Sequence, residues 1–296
     1  MKPPPFTYHR PRARDEVDAL LRELGGDAKV LAGGQSLIPI LNMRLSSPGH
    51  LIDINHLTGE PDEPTASDGF VVLGPLVRQS VVEHSALVAE RVPLLAETME
   101  FVAHPAIRNR GTVVGSIAHA DPAAELPAVL AVLNGEIIAR SSRGRRTIAA
   151  GDCFAGPLEN SLTEGEWVEE VRWPAATEDQ GFSFVEFARR SGDYALCGVA
   201  ASAARASDGT ITIALGYLGM GDVPERIELA PLMDADVEGA TLENAVGEVV
   251  AHRLDAAEDI HASVAFRAHL ARRLGVRAAR CASARAAARL DRRSAS

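Results

Sequence analysis

The feature that most constrains this chain is a short apolar segment that runs into two consecutive glycines. The segment Lys29–Ala32 has the composition of a β-strand, and Gly33, Gly34, Gln35 and Ser36 follow it directly. Paired glycines allow backbone conformations that other residues rarely adopt. Successive N–H groups can then point at one concave spot and bind an anion such as a diphosphate. Most such pairs are plain tight turns, so this motif needs support from elsewhere in the chain.

A second glycine-rich segment lies about eighty residues further along and gives that support. It contains Gly111 and Gly115 with the hydroxyl residues Thr112 and Ser116, and the carboxylate of Asp121 follows. Two phosphate-compatible loops in one chain indicate a long ligand that is bound from two sides. Asp121 has an alternative role, because it precedes a proline suited to the first turn of a helix and can cap that helix.

The two motifs, in this order and spacing, resemble those of the medium, FAD-binding subunits of molybdenum hydroxylases. That family includes carbon monoxide, nicotine, caffeine and xanthine dehydrogenases. The resemblance extends from Phe6 to about Gly275. The segments that carry it are Ala32-Gly-Gly-Gln-Ser36, Arg108-Asn-Arg-Gly-Thr112 with Gly115-Ser116, Ala118-His-Ala-Asp-Pro122, and Arg189-Arg-Ser-Gly-Asp193-Tyr194.

The resemblance implies an electron-transfer subunit that holds FAD, whereas molybdopterin and two [2Fe–2S] clusters belong to partner subunits. The implied partners are a large molybdopterin subunit and a small iron–sulfur subunit, assembled as a dimer of heterotrimers, and an external electron acceptor. The resemblance favours an N-heterocycle as the substrate of the complex over carbon monoxide or an aldehyde. No catalytic residue and no metal ligand is expected here. The implied cofactor-binding residues are Ala32, Gly33, Gly34, Gln35, Ser36, Ile107, Thr112, Gly115, Ser116, Ala120, Asp121, Leu162, Asp193 and Tyr194.

Some positions depart from the family or have another meaning. Val114 stands where the family usually has a glycine, and a valine rarely takes a positive φ. We therefore expect residue 114 to be extended or the loop to be displaced. Glu186 stands where relatives often have a lysine near the flavin. Ile107 and Leu162 match positions that pack against the flavin ring, but single aliphatic residues are more often part of a core.

Two other functions stay open at the level of the sequence. One is a self-sufficient FAD-dependent reductase of the same superfamily, which would reduce a substrate without partner subunits. The other is a nucleotide-sensing or scaffold subunit that binds a diphosphate without redox chemistry. Bleaching of the bound ligand by dithionite would exclude the second of these.

The composition limits where the other redox centres can lie. Cys153, Cys197 and Cys281 are far apart, so neither a zinc finger nor an iron–sulfur site is expected in this chain. Any iron–sulfur cluster would have to sit on another subunit. The chain has no apolar run long enough to span a membrane and no signal for export, so we expect a cytoplasmic protein without a membrane span.

The C-terminus is basic, with nine Arg and one Asp between Phe266 and Ser296. Basic tails can bind nucleic acid, but aromatic stacking residues and a recognised binding motif are missing, so no nucleic-acid partner is expected. An Ala- and Arg-rich terminus is most simply a solvated helix that frays. We therefore predict a final helix over about 256–274 and a frayed or disordered tail over 281–296.

The expected fold class is α+β. The resemblance implies a PCMH-type FAD-binding domain made of two α/β subdomains, followed by a C-terminal domain whose three-stranded antiparallel sheet packs on helices. We place the FAD-binding domain at residues 1–175, with subdomains at about 1–57 and 58–175, and the C-terminal domain at residues 176–280.

Local patterns agree with this division. The first unit has a β–α–β order, and Asp208-Gly209 predicts a hairpin turn before an alternating strand. Apolar residues from Leu242 to Val250 at helical spacing predict a helix, with Thr241 as its possible N-cap.

Overall fold

A computed structural model of the chain describes residues 2–294. The first unit of the chain is small and is built on a parallel sheet. The elements of this unit are β1 (Thr7–His9), α1 (Arg14–Leu24), β2 (Ala28–Leu31), α2 (Leu37–Asn42) and β3 (His50–Asp53). The three strands run parallel in the order β1–β3–β2. The predicted β–α–β order is confirmed, with β1 as a further strand. The first glycine turn therefore leaves the carboxyl end of an edge strand.

Helix α1 forms because its apolar residues recur on one face. Val17 and Leu21 are buried in the same cluster as Ile52 and Trp167. The helix ends at Gly25, whose φ of 55° is easy for a glycine and whose N–H donates to the carbonyl of Leu21. This packing fixes the start of β2 and hence the position of the glycine turn that follows it.

The second unit joins short helices to an antiparallel sheet. Its strands are β4 (Thr65–Ser67), β5 (Phe70–Leu73), β6 (Glu136–Ser141), β7 (Gly144–Ala149), β8 (Phe154–Gly156), β9 (Glu159–Asn160) and β10 (Trp167–Pro174). Its helices are α3 (Gln79–Glu83), α4 (Ala86–Arg91), α5 (Pro93–Met99), α6 (Pro105–Arg108), α7 (Val113–His119), α8 (Glu125–Val132) and α9 (Ala150–Cys153). Five strands form the sheet, in the order β4–β5–β10–β6–β7, and β8 pairs with β9.

The third unit is an antiparallel sheet with helices on both faces. Its elements are β11 (Gln180–Phe187), β12 (Cys197–Arg205), β13 (Thr210–Leu218), β14 (Ile227–Glu228), β15 (Leu232–Met233), α10 (Ala240–His252) and α11 (Val264–Ser294). The three long strands are those predicted, and the short β14 and β15 add to β13. Phe184 and Leu218 belong to the core of the second unit, so the two units share one apolar interior. The α+β architecture is confirmed.

Two local predictions about this unit have different outcomes. The Asp208-Gly209 hairpin is present, with Gly209 at a φ of 85° between β12 and β13. The N-cap prediction for Thr241 is wrong, because α10 begins at Ala240, two residues earlier than that cap requires, and Gly239 occupies the capping position. Thr241 lies inside the first turn instead.

The prediction of a frayed tail over 281–296 is also wrong for the described residues, and residues 295–296 lie outside them. Helix α11 begins at Val264, later than predicted, and continues to Ser294. Ala278, Ala282 and Ala286 are fully buried along one side of it. These small side chains let the helix approach β11 so closely that a Cβ on Gly181 would overlap the backbone at Ala282. Close packing on the sheet, rather than solvation, holds this segment helical.

Within residues 2–294, no helix combines the length and the apolar character needed to cross a membrane.

Candidate functional site

The two glycine-bearing turns meet in the structure although they are far apart in the sequence. A Cβ on Gly33 would overlap the carbonyl oxygen of Arg110 and lie 2.7 Å from the Cα of Gly111. Ala32 also lies close to the second turn, since a Cβ on Gly115 would be 3.9 Å from its Cβ. Only a glycine at position 33 allows this backbone-to-backbone approach.

The first turn presents a set of unused main-chain donors. Gly34 has a φ of 72°, which turns the chain away from β2 and into α2. The side chain of Gln35 donates to the carbonyl of Gly33 at 3.0 Å and braces the turn. No acceptor in the described part of the chain receives the N–H groups of Gly33, Gly34, Gln35 or Ser36. Successive free N–H groups in one turn suit an anion.

The second turn is built differently. The hydroxyl of Thr112 accepts a hydrogen bond from the N–H of Gly115 at 3.0 Å, and its carbonyl accepts from the N–H of Ser116 at 3.2 Å. Thr112 is thus the N-cap of α7, and the amides of the two predicted binding residues are already used. Gly115 can still let a ligand approach closely because it has no Cβ. Ser116 can still offer its hydroxyl group.

The expectation that Val114 is extended is wrong. Residue 114 is not extended, because it is the second residue of α7 and is buried in the core of the second unit. The helix that Thr112 caps already includes this position. Helical φ is allowed for valine, so no glycine is needed at this position for backbone reasons.

Asp121 does not cap α8, so that alternative is wrong. Helix α8 begins at Glu125, and residues 122–124 form a turn in which Asp121 Oδ1 accepts from the N–H of Ala123 at 2.9 Å. Desolvation and the nearby carboxylate of Asp121 raise the pKa of Tyr194 to about 12, although about two-thirds of the residue is exposed. The phenol therefore stays protonated. Ala120, just before, takes a left-handed conformation that ends α7.

The remaining predicted residues lie on loops connected to these turns. Ile107 is in α6, and its carbonyl is 3.2 Å from where a Cβ on Gly111 would be. Leu162 donates its N–H to Asn160 Oδ1 at 3.1 Å, and Asn160 Nδ2 donates to the carbonyl of Ala118 at 2.6 Å. Asp193 follows Gly192, where an added Cβ would overlap the ring of His104 just before α6.

Burial sets the ionisation of the groups beyond Asp121. It raises the pKa of Glu125 to about 7 and that of Glu186 to about 8, with Glu125 adding to the second shift. Glu186 Oε2 is buried without a hydrogen-bond partner. Burial lowers the pKa of His119 against the opposing effect of Asp121, which favours a neutral imidazole. The carboxyl at position 186 is thus held mostly in its neutral form near pH 7.

Three residues that hold the loops in place were missed from the sequence. Asn55 and Arg78 connect the two turns through hydrogen bonds, and Asn160 connects α7 to the loop of Leu162. Asn55 follows the carboxyl end of β3, a position that commonly faces ligands in α/β layers, and this was the available signal. Arg108, a residue of the second motif, has a structural role, since it binds Glu83 through two nitrogens at 2.7 and 2.8 Å.

These features fit a dinucleotide better than other ligands. Free amides and hydroxyls suit a diphosphate, and Arg78 and Arg110 place positive charge beside the turns. The residues that the structure describes include no group of three or more His, Cys, Asp or Glu side chains that could hold a metal ion. A cavity of about 610 Å³ between α1 and the β6–β7 hairpin is lined by none of the predicted site residues.

Comparison with known proteins agrees with this chemistry. The FAD binding domain of molybdopterin dehydrogenases matches residues 4–176, and the C-terminal domain of the CO dehydrogenase flavoprotein matches residues 182–282. The chain is 37% identical over 278 residues to the nicotine 6-hydroxylase medium subunit of Paenarthrobacter nicotinovorans, covering 93% of this chain and 96% of the relative.

Solved structures show the same relationship. The fold matches carbon monoxide dehydrogenase from Hydrogenophaga pseudoflava with a TM-score of 0.86 and 33% identity, over 96% of this chain and 99% of the other. It matches quinoline 2-oxidoreductase from Pseudomonas putida 86 with a TM-score of 0.85 and 31% identity, over 97% and 99% of the two chains. The chain therefore belongs to the family of FAD-binding medium subunits of molybdenum hydroxylases, and FAD is its cofactor.

Proposed function

We propose that this chain transfers electrons within a molybdenum hydroxylase complex that oxidises a nitrogen heterocycle. In this proposal a large partner subunit carries molybdopterin and oxidises the substrate. Electrons arrive through two [2Fe–2S] clusters on a small partner subunit and leave to an external acceptor. The names of two relatives support the substrate class, since nicotine and quinoline both contain a nitrogen ring.

The residues of this chain bind and orient the cofactor. Bound FAD supplies the redox chemistry. The free N–H groups of the first turn and the hydroxyl of Ser36 would hold the diphosphate, and the second turn would close against it with Ser116. Asp121 would accept hydrogen bonds from ribityl or ribose hydroxyls. The flavin ring would pack on Ile107 and Leu162. The observation that carries this assignment is the backbone contact between Gly33 and the second turn.

We also propose that the chain assembles with its two partner subunits as a dimer of heterotrimers. The name of the nicotine relative, a medium subunit, supports a complex with a larger and a smaller subunit. Each heterotrimer would contain one copy of this chain, and the acceptor would reach the flavin from outside the complex.

The proposal is tested by comparing the isolated chain with the purified native complex. The isolated chain should bind FAD and lose its flavin absorbance on addition of dithionite, but not on addition of a nitrogen heterocycle. The complex should contain molybdenum and iron, and a heterocyclic substrate should bleach its flavin. Gel filtration with mass measurement checks the assembly.

Two results would contradict the proposal. A chain that is isolated without FAD and cannot be reconstituted with it would remove the basis of electron transfer. Reduction of the flavin by a substrate in the isolated chain would instead indicate a self-sufficient enzyme. Carbon monoxide or an aldehyde as the only substrate that bleaches the complex would correct the substrate class alone.

A further inference from the structure

Arg78 lies between the two turns and belongs to neither sequence motif. It occupies the position before α3, with its side chain partly buried. Its Nη1 donates to the carbonyl of Arg110 at 2.5 Å, in the second turn. Its Nη2 donates to Asn55 Oδ1 at 2.6 Å. The guanidinium group therefore holds the second turn with one nitrogen and reaches toward the first turn with the other.

Asn55 completes the connection to the first turn. Its Nδ2 donates to the carbonyl of Ala32 at 2.7 Å and to Asp53 Oδ1 at 2.6 Å. Asp53 is itself fixed, because its other oxygen accepts from the hydroxyl of Tyr8 at 2.5 Å. A continuous series of hydrogen bonds thus runs from the carbonyl of Ala32 to that of Arg110, through two side chains.

The backbone around Arg78 is fixed against the second turn as well. The N–H of Gln79 donates to the carbonyl of Gly111 at 2.9 Å, and the N–H of Val113 donates to the carbonyl of Val77 at 3.4 Å. Residues 78 and 112 face each other in this short antiparallel bridge. The side chain of Arg78 is therefore positioned by the second turn, and any movement of that turn is transmitted to Asn55.

The charge of Arg78 is not neutralised by a close carboxylate. Within residues 2–294 its acceptors are a carbonyl and an amide oxygen, and it makes no ion pair. Burial and the neighbouring Arg110 lower the pKa of Arg78, and only Asp53 opposes them from a longer distance. Placing a positive charge in this way has an unfavourable free energy that an anionic ligand at the turns would relieve.

We propose that Arg78 is a positioning residue that, through Asn55, locks the two turns together and so sets the affinity of the chain for the diphosphate of FAD. This inference rests on the proposed location of the FAD diphosphate at the turns. Arg78 acts through the carbonyls of Ala32 and Arg110, and the first of these shares its peptide plane with the free N–H of Gly33. Its planar fork is needed because a lysine cannot reach two separate acceptors in fixed directions.

The test uses the full-length chain freed of FAD, with Arg78→Met, Arg78→Lys and Asn55→Leu. Dissociation constants are measured for FAD, for ADP, which has the diphosphate without the flavin ring, and for riboflavin, which has the ring without phosphate. We expect each variant to bind FAD and ADP at least about ten-fold more weakly and riboflavin unchanged, because hydrogen bonds to charged groups are lost. The double variant of Arg78→Met and Asn55→Leu should lose little more than either single change.

The matched control is Arg143→Met. Arg143 also donates to a carbonyl and to a side-chain oxygen, at Glu164 and Thr163, but away from the turns. It should leave all three constants unchanged. If one Arg78 variant fails to fold, Asn55→Leu breaks the same connection without removing a charge.

Three outcomes would overturn the proposal in distinguishable ways. Unchanged FAD and ADP binding in folded variants would show that Arg78 does not position the turns, while the FAD site itself would stand. An equal loss for ADP and riboflavin would indicate a merely structural role. Failure of the unaltered chain to bind FAD, or binding of FAD that ADP cannot displace, would refute the location of the site and with it the role of Arg78.

Discussion

The two glycine turns look alike in sequence but present different groups in the structure. In the first turn the N–H groups of residues 33–36 have no acceptor among residues 2–294, and the hydroxyl of Ser36 does not cap α2. In the second turn the hydroxyl and carbonyl of Thr112 accept from Gly115 and Ser116. The first turn therefore offers N–H donors to a ligand, and the second offers a backbone surface that packs closely against the first.

This difference shows how one residue decides the role of a glycine loop. Thr112 adopts an extended backbone conformation and directs its hydroxyl at the amide three residues later, as N-cap residues do. Ser36 has helical backbone angles, so its side chain makes no such bond. A capped helix has already satisfied the amides that an anion would need, whereas the uncapped turn has not. The diphosphate is thus expected to bind mainly to the first turn.

The largest effect should come from breaking the contact between the turns. Gly33→Ala would place a Cβ against the backbone of Arg110 and Gly111, and backbone atoms cannot move aside as a flexible side chain can. We expect FAD to bind more than about 100-fold more weakly, because at least two hydrogen bonds to the charged diphosphate are lost. Titration of the FAD-free chain with FAD measures this.

The control for that change is Gly26→Ala in the same unit. A Cβ on Gly26 would meet no atom within 4 Å, and this glycine does not need a positive φ. Its FAD affinity should equal that of the unaltered chain. Normal FAD binding by Gly33→Ala would mean that the turns can separate without weakening FAD binding. It would contradict the assignment of the FAD site to the contact between the turns.

A pair of hydroxyl removals should separate binding from capping. Ser36→Ala is expected to weaken FAD binding by about ten-fold or more and leave stability unchanged. Its hydroxyl has no hydrogen-bond partner within residues 2–294 and would bind the charged diphosphate. Thr112→Val should lower the free energy of unfolding by about 1 kcal/mol through loss of the N-cap. Its effect on FAD affinity should be smaller than that of Ser36→Ala.

Urea unfolding and FAD titration of both variants measure this pair. Thr112→Ser is the matched control, since serine also caps helices and should restore most of the stability. Both variants should be fully folded under the conditions of the FAD titration. If Thr112→Val then weakened FAD binding more than Ser36→Ala, the second turn would be the main diphosphate site instead of the first.

The sequence was sufficient for features that depend on short segments. The glycine turns after β2 and before α7, the Asp208-Gly209 hairpin and the three long strands of the third unit follow from local residue patterns. The closeness of the turns was predicted from the family resemblance and from the inference that both loops bind one long ligand. These predictions needed no knowledge of which residues pack against each other.

The features that were missed depend on contacts between distant residues. Ala282 and Ala286 are only weakly apolar, so nothing in the tail showed that Gly181 would make room for them on β11. Likewise Arg78 is one of many arginines, and its role follows from where Asn55 places an amide. The cap at Thr112 depends on a backbone angle that a hydroxyl residue before glycine does not fix.

The smallest effect on stability should come from the buried acids beyond the second turn. The turns themselves have Arg78 and Arg110 beside them, whereas this region has Glu125 and Glu186. Glu186 has a pKa of about 8 in the folded chain, raised by burial from its ordinary value of 4.5. Between those values the folded chain holds more protons than the unfolded chain, so its stability falls as the pH rises. Glu186→Gln removes this contribution and should gain stability relative to the unaltered chain with increasing pH.

Urea unfolding from about pH 5 to about pH 8 measures this, and the change in slope should stay below the limit of about 1.36 kcal/mol per pH unit for one proton. Glu90→Gln on exposed α4 is the control and should run parallel to the unaltered chain. A slope that is the same with and without Glu186 would mean that this carboxyl ionises as freely as in water. The acid at position 186 would then make no measurable contribution to the pH dependence of folding.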